Sequence, residues 1–192
     1  MNTNTKKLVT SAVIGALYAA LTMVLAPISY GSLQLRVSEV MCILPFFFPP
    51  AAFGLTIGCA IANTLSAAGI LDIIFGSLAS LLAGLSVAAI GKRPRALLFS
   101  SETGILKNGE REKTTAHWGR YTAACAMPVV FNGPIIGAVL AFAFSRNAFW
   151  EGFLIFSLQV ALGEAAVMFL LALPLMGYLG SKPRFISFFA DL

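Results

Sequence analysis

Apolar windows of about 20 residues recur along this chain, each long enough to cross the roughly 30 Å hydrocarbon core of a bilayer. The first runs from Leu8 to Pro27. Lipid offers no water to backbone N–H and C=O groups, so windows of this kind fold as helices that satisfy their own backbones. Composition agrees. Of 192 residues, 58% are apolar and 11% are charged, against roughly 25% charged in an average soluble domain. Neither a β-barrel periodicity nor an internal repeat is evident. Lys6 and Lys7 precede the first window as they would in a secretory signal, but the window outlasts the roughly 7–15 apolar residues of a signal core. It reads as a retained first span.

The expected fold is an all-α integral membrane protein, one membrane domain over 1–192, with spans near 8–27, 37–50, 52–69, 71–90, 121–144 and 149–179. The segment 91–120 is polar. The second and third spans are short and could instead form one long broken helix, which would leave five spans. Positive residues favour the cytoplasmic side, and this separates the two options. Six spans with both termini cytoplasmic leave only Arg36 and Arg146 of the 13 basic residues outside. Five spans would put the seven basic residues of 91–120 outside, so six is the better reading.

A formal charge of +5 raises the question of nucleic acid, but the basic residues sit at the tails and in one loop, as topology signals do. Cys42, Cys59 and Cys125 lie in apolar segments without paired spacing and read as small packing residues. His117 is alone in the polar loop. The spans hold no histidine, no serine with an evident base and no metal-ligand cluster, so the usual acid–base and nucleophilic constellations of an enzyme are missing. No cofactor or metal is expected.

The acidic residues fall into two groups. Glu102, Glu110 and Glu112 in the polar loop and Asp191 at the tail read as solvated. Glu39, Asp72 and Glu151 stand at the outer ends of three spans, and Glu164 lies within the sixth, about 20 Å along the helix from Glu151. An ionisable residue at membrane depth faces the bundle interior and has a function by default, and no basic residue within a span is available to pair with Glu164. Asn63, Asn132 and Gln159 are also at depth, where interhelical hydrogen bonding competes with a ligand role. Arg36 and Glu39 are close enough for a local ion pair.

Pro45, Pro49 and Pro50 interrupt the second apolar run, and Pro128 and Pro134 flank Asn132 in MPVVFNGP. Helices broken beside buried polar groups are a recurring way to build a solute site. Small residues recur every four positions at Ala12, Ala16 and Ala20, and again at Gly76, Ser80, Gly84 and Ala88. Such stripes mark helix contact faces.

Four stretches together resemble the QueT family, the S components of energy-coupling-factor (ECF) transporters for queuosine precursors: LRVSEVMCILPFFFPPAAFGLTIGCAIAN (35–63), GILDIIFGSLASLLAG (69–84), MPVVFNGPIIGAVLA (127–141) and FSLQVALGEAAVMFLLALPLM (156–176). The likeness covers most of the membrane portion and lies in the order of the polar marks RxSE, GCxIAN, LDIxFGSLA, NG and GE. The loop 96–118 has no counterpart. The resemblance implies a six-helix subunit that binds a micronutrient from outside and docks on a transmembrane coupling protein carrying two ATPases. It also implies that Ala12, Ala16 and Ala20 form the docking face. The chain has no G-x-x-x-x-G-K-[ST] loop, so ATP would be used by another subunit.

The implied ligand is a 7-deazaguanine base. Its N1–H and N2–H donors suit a carboxylate and its O6 a carboxamide, which points to Glu164 with Asn132, Asn63 and Gln159. Asp72 or Glu39 would face an aminomethyl substituent, and Phe46, Phe47, Phe75 or Phe131 would stack on the ring. Arg36 and Glu39 would order an outer lid, and the prolines would shape the cavity wall. The competing reading is a stand-alone secondary transporter of a nucleobase-like solute, with Glu164 carrying a coupling proton.

Overall fold

The computed structural model describes residues 2–30, 34–92 and 118–190, and every described element is helical. Helix α1 spans Thr3–Val24, α2 Val37–Phe47, α3 Ala51–Leu65, α4 Ile70–Lys92, α5 Trp118–Phe144, α6 Arg146–Gly180 and α7 Pro183–Ala190. Four of them, α1, α4, α5 and α6, are long and apolar enough to cross a bilayer.

The helices found where the second and third spans were expected are short. α2 begins as a 3-10 helix over Val37–Ile43 and adds one α-turn, Leu44–Phe47, so it rises about 20 Å. α3 rises about 24 Å by the same measure. Both fall short of a roughly 30 Å core. They do not form one broken helix. Arg36 at the start of α2 lies beside Cys59 near the end of α3 and Asp72 at the start of α4. At the other end of α2, Pro45 and Phe46 lie beside Gly84 and Gly91 near the end of α4. The chain therefore reverses at Pro49–Pro50. Proline cannot donate to a continuing helix, and the residue before it avoids helical geometry.

Small residues set the helix contacts. α1 and α3 run parallel and nearly touch: a Cβ on Gly15 would strike the Gly54 carbonyl, and one on Gly54 the Ser11 carbonyl. The α4 stripe packs inward as expected, with Ser80 and Ala88 buried and Gly84 against Ala52. The α1 stripe does not. Ala12, Ala16 and Ala20 are exposed, while Ser11, Gly15, Tyr18 and Thr22 on the opposite face are buried.

α5 is a continuous helix through Pro128 and Pro134, so the expected break around Asn132 does not occur. Only the two missing backbone donors remain. In α6 the hydrogen-bond ladder widens to a π-helix over Val167–Ala172, immediately before Pro174. A proline ring crowds the carbonyl four residues back, here Leu170, and the wider turn relieves that clash.

Trp118 and Trp150 are exposed at opposite ends of the bundle, as residues of the two membrane interfaces are. At the Trp118 end α7, unforeseen from sequence, closes an aromatic cluster: Phe185 meets Phe47, and Phe189 stacks on Phe48 at 5.3 Å. The expected loop 91–120 narrows, because Gly91 and Lys92 extend α4 while Trp118 to Arg120 begin α5. The expectations for His117, the glutamates and the basic residues within 93–117, and that for Asp191, lie outside the described residues.

Candidate functional site

Arg36 precedes the first turn of α2 but is drawn into the bundle, with 6% of its surface exposed. Gln34, two residues earlier, adopts φ 45°, a left-handed conformation uncommon for a non-glycine residue. The Arg36 Nη2 lies 3.5 Å from Asp72 Oδ2, its Nη1 lies 3.9 Å from Cys59 Sγ, and its guanidinium rests over the Tyr30 ring. Asp72 is fully buried in the first turn of α4, where the helix dipole favours a carboxylate. Asn63 follows the last α-turn of α3 and is also fully buried. Its Nδ2 donates to the Asp72 carbonyl at 2.8 Å and to Cys59 Sγ at 3.5 Å. The missing Cβ of Gly76 makes room for that amide.

Glu39 comes from the 3-10 part of α2. The Tyr18 hydroxyl of α1 donates to its Oε1, and the Cys42 thiol donates to its Oε2 at 2.8 Å. One turn further along α1, Thr22 and Ser38 share a hydroxyl–hydroxyl bond of 2.6 Å. Glu164 of α6 is 3% exposed. Its charged neighbours are Glu39 and Arg36, and Asn132 of α5 lies against it. Polar groups from all six of α1 to α6 thus converge.

Several of these groups are not satisfied within the chain. Arg36 Nε and Nη2, Asn63 Oδ1, both Asp72 carboxylate oxygens and Glu164 Oε1 are buried without a hydrogen-bond partner among the described residues. Each such group costs roughly 1–3 kcal/mol when left alone, and most buried polar groups in proteins are paired. So many bare atoms in one place make this cluster the candidate site for a polar ligand.

The structure brings Glu164, Asn132, Asn63, Asp72, Glu39 and Arg36 together. Gln159 is half-buried on α6 and makes no hydrogen bond among the described residues, and Glu151 is exposed. Three expectations change. Arg36 pairs with Asp72, not with Glu39, because the 3-10 turn aims Glu39 at α1. Glu164 does have a basic neighbour, since Arg36 reaches in from the chain before α2. The assignments of Phe46, Phe47, Phe75 and Pro45 also fail. Phe46 and Phe47 belong to the opposite end of the bundle with Tyr121 and Phe185, Phe75 faces outward, and Pro45 packs on Gly84.

Sequence reading missed Tyr18, Cys42 and Cys59. The two cysteines are free, as expected, yet they serve the polar network as donor and acceptor. For Tyr18 a signal existed: it lies about 200° around the helix from Ala16 at 100° per residue. An outward alanine stripe therefore turns the phenol inward.

The family described as QueT transporter matches residues 8–181. The curated queuosine precursor transporter QueT of Lactococcus lactis subsp. cremoris (strain MG1363) is 44% identical over 80 residues, which is 41% of this chain and 47% of that relative. The aligned part thus spans about half the length of the relative. No solved structure matches.

Proposed function

Because this chain belongs to the QueT transporter family, we propose that it is the substrate-binding S component of an ECF transporter, taking a queuosine precursor of the 7-deazaguanine class from outside the cell membrane. A transmembrane coupling protein and two ATPase subunits would supply the ATP-driven step. The related Lactococcus lactis chain is named a queuosine precursor transporter. The carrying observation is the group of buried, unpartnered acceptors and donors contributed by Arg36, Asn63, Asp72 and Glu164.

The geometry refines the roles. Glu164 keeps a free oxygen for the N1–H and N2–H edge of the base. Asn63 has spent its amide nitrogen on Asp72 and offers only Oδ1. O6 is then served by Asn132 or by the free N–H groups of Arg36, with Gln159 as a more distant amide partner. Both oxygens of Glu39 already accept bonds from within the chain, which leaves Asp72 as the carboxylate open to a 7-substituent.

Six crossings with both termini cytoplasmic fit the order of contacts. Phe46, Gly91, Arg120, Tyr121 and Gly180 cluster at one end of the bundle, with Arg36, Asn63 and Asp72 toward the other. α2 and α3 would then cross a locally thinned or indented region. Exposed Ala12, Ala16 and Ala20 would take the coupling protein.

The test is Glu164→Gln. It replaces one acceptor oxygen with a donor facing two ligand donors. Deazaguanine binding by calorimetry should fall at least 100-fold, about 2.7 kcal/mol, with the fold retained. Binding within about threefold of the parent chain would overturn the assignment. The neighbouring carboxyls Glu39 and Glu164 favour a second reading, a stand-alone proton-coupled carrier. Purification in mild detergent separates the two: an S component brings down a coupling protein and two ATPases.

A further inference from the structure

Resting on the reading of Glu164 as a site residue, we propose that the π-turn of α6, Val167–Ala172, is a positioning element of the site. Its surplus residue supplies the phase shift that lets Glu164 face the polar cluster while the rest of α6 stays packed at the aromatic end. Around a regular helix, at about 100° per residue, Val160, Val167 and Met168 lie within about 60° of Glu164, and all are buried with it. On the same count Ala172 and Met176 would lie about 80° and about 120° away, yet both are 0% exposed. One face of a regular helix does not hold all of these side chains. In a π-turn each N–H reaches one residue further back, so the turn takes in about one residue more. With one residue set aside, Ala172 and Met176 fall about 20° to either side of Glu164. Leu170 and Leu171 are 72% and 49% exposed, so the surplus bulges away from the bundle.

Both halves of α6 are pinned, so its phase cannot drift. Before the π-turn, the bare faces of Gly133 and Gly137 on α5 meet Ala161 and Ser157. After it, Gly177 sits against the Trp118 ring and Gly180 against the Tyr121 hydroxyl. Pro174 holds the turn open, because its ring would crowd the Leu170 carbonyl in a regular helix. The 3-10 part of α2 packs on this π-turn. Its tighter winding brings side chains three apart into line, here Glu39 and Cys42, which share a 2.8 Å bond. An overwound segment of α2 and an underwound one of α6 thus bring Glu39 toward Glu164, with Arg36 beside it.

The test deletes one residue at either of two places in a chain carrying Pro174→Ala, which frees α6 to run as a regular helix. Deleting Leu171 takes the surplus out of the π-turn. Deleting Leu162, a leucine 57% exposed, takes a residue from the regular part on the other side of Glu164, where there is none to spare. Aminomethyl- and nitrile-substituted 7-deazaguanine serve as probes, titrated in mild detergent. The Leu171 deletion should bind within about threefold of the parent chain, and the Leu162 deletion about tenfold or more weaker. Loss of binding in the Leu171 deletion, or equal affinity of the two deletions, overturns the proposal. Melting without ligand keeps that outcome separate from the functional reading. The Leu171 deletion should melt no lower than Pro174→Ala alone, and the Leu162 deletion about 5 °C or more below it. A Leu171 deletion that does not fold, or the opposite order of melting, overturns the positioning role whatever the ligand. If the parent chain binds neither base while the melting order holds, the functional reading falls and the phase-setting role of the π-turn stands.

Discussion

The two ends of this bundle are built on opposite principles. At the Trp118 end, Phe46, Phe47, Phe48, Tyr121, Phe185 and Phe189 interlock edge-to-face or stacked. Arg120, half-buried there, donates to the Ile90 carbonyl near the end of α4 and lies over the Phe46 ring at 5.4 Å. None of the bare buried polar atoms of the described residues falls in this cluster. At the Arg36 end, by contrast, a guanidinium, carboxylates and an amide are packed close with bonds still unmade. One end holds the chain together. The other keeps hydrogen-bonding capacity open, the feature that makes it the candidate site.

That contrast can be attacked from either side. The largest effect is expected at the polar end from Arg36→Met, which leaves Asp72 as an uncompensated buried charge. It should lower stability by about 3–5 kcal/mol in detergent unfolding, with most of the loss recovered on adding Asp72→Asn. A double variant no more stable than the single one would show that the pair is not an energetic unit. Next comes Phe48→Ala at the aromatic end, where a side chain 2% exposed is lost. The expected cost is about 3 kcal/mol, with the affinity for base unchanged. A large change in affinity would mean that the two ends are coupled. The smallest stability effect belongs to Ala16→Leu, on the exposed face of α1. Stability should move by less than about 0.5 kcal/mol, while co-purification of a coupling protein is lost. A large destabilisation would mean that the stripe packs internally.

Much of the site was legible because charge at membrane depth is rare and conspicuous. Glu164, Asp72, Asn63 and Asn132 could be picked out singly, since each sits in an apolar run with no surface to explain it. Their partners could not. Arg36 and Glu39 are three residues apart, and sequence spacing favours pairing them, yet the 3-10 geometry of α2 and the reversal at Pro49–Pro50 send one to α4 and the other to α1. The same reversal explains the misplaced phenylalanines. Phe46 and Phe47 are near Glu39 in the chain, but α2 carries them to the far end of the bundle. The prolines likewise marked breaks without marking depth. Pro49 and Pro50 turn the chain, whereas Pro128 and Pro134 are absorbed into one continuous helix.

The amino-acid sequence by itself determined that this is a helical membrane protein, roughly where its four long helices lie, and which side chains are too polar for lipid. Those follow from local hydropathy and from the cost of an unsatisfied backbone in a bilayer. The tertiary structure decided who meets whom: Arg36 with Asp72, Tyr18 and Cys42 with Glu39, and Asn132 with Glu164. Those pairings depend on helix rotation and on close approach at glycine contacts such as Gly15 with Gly54. These are properties of a packed bundle that no single helix contains.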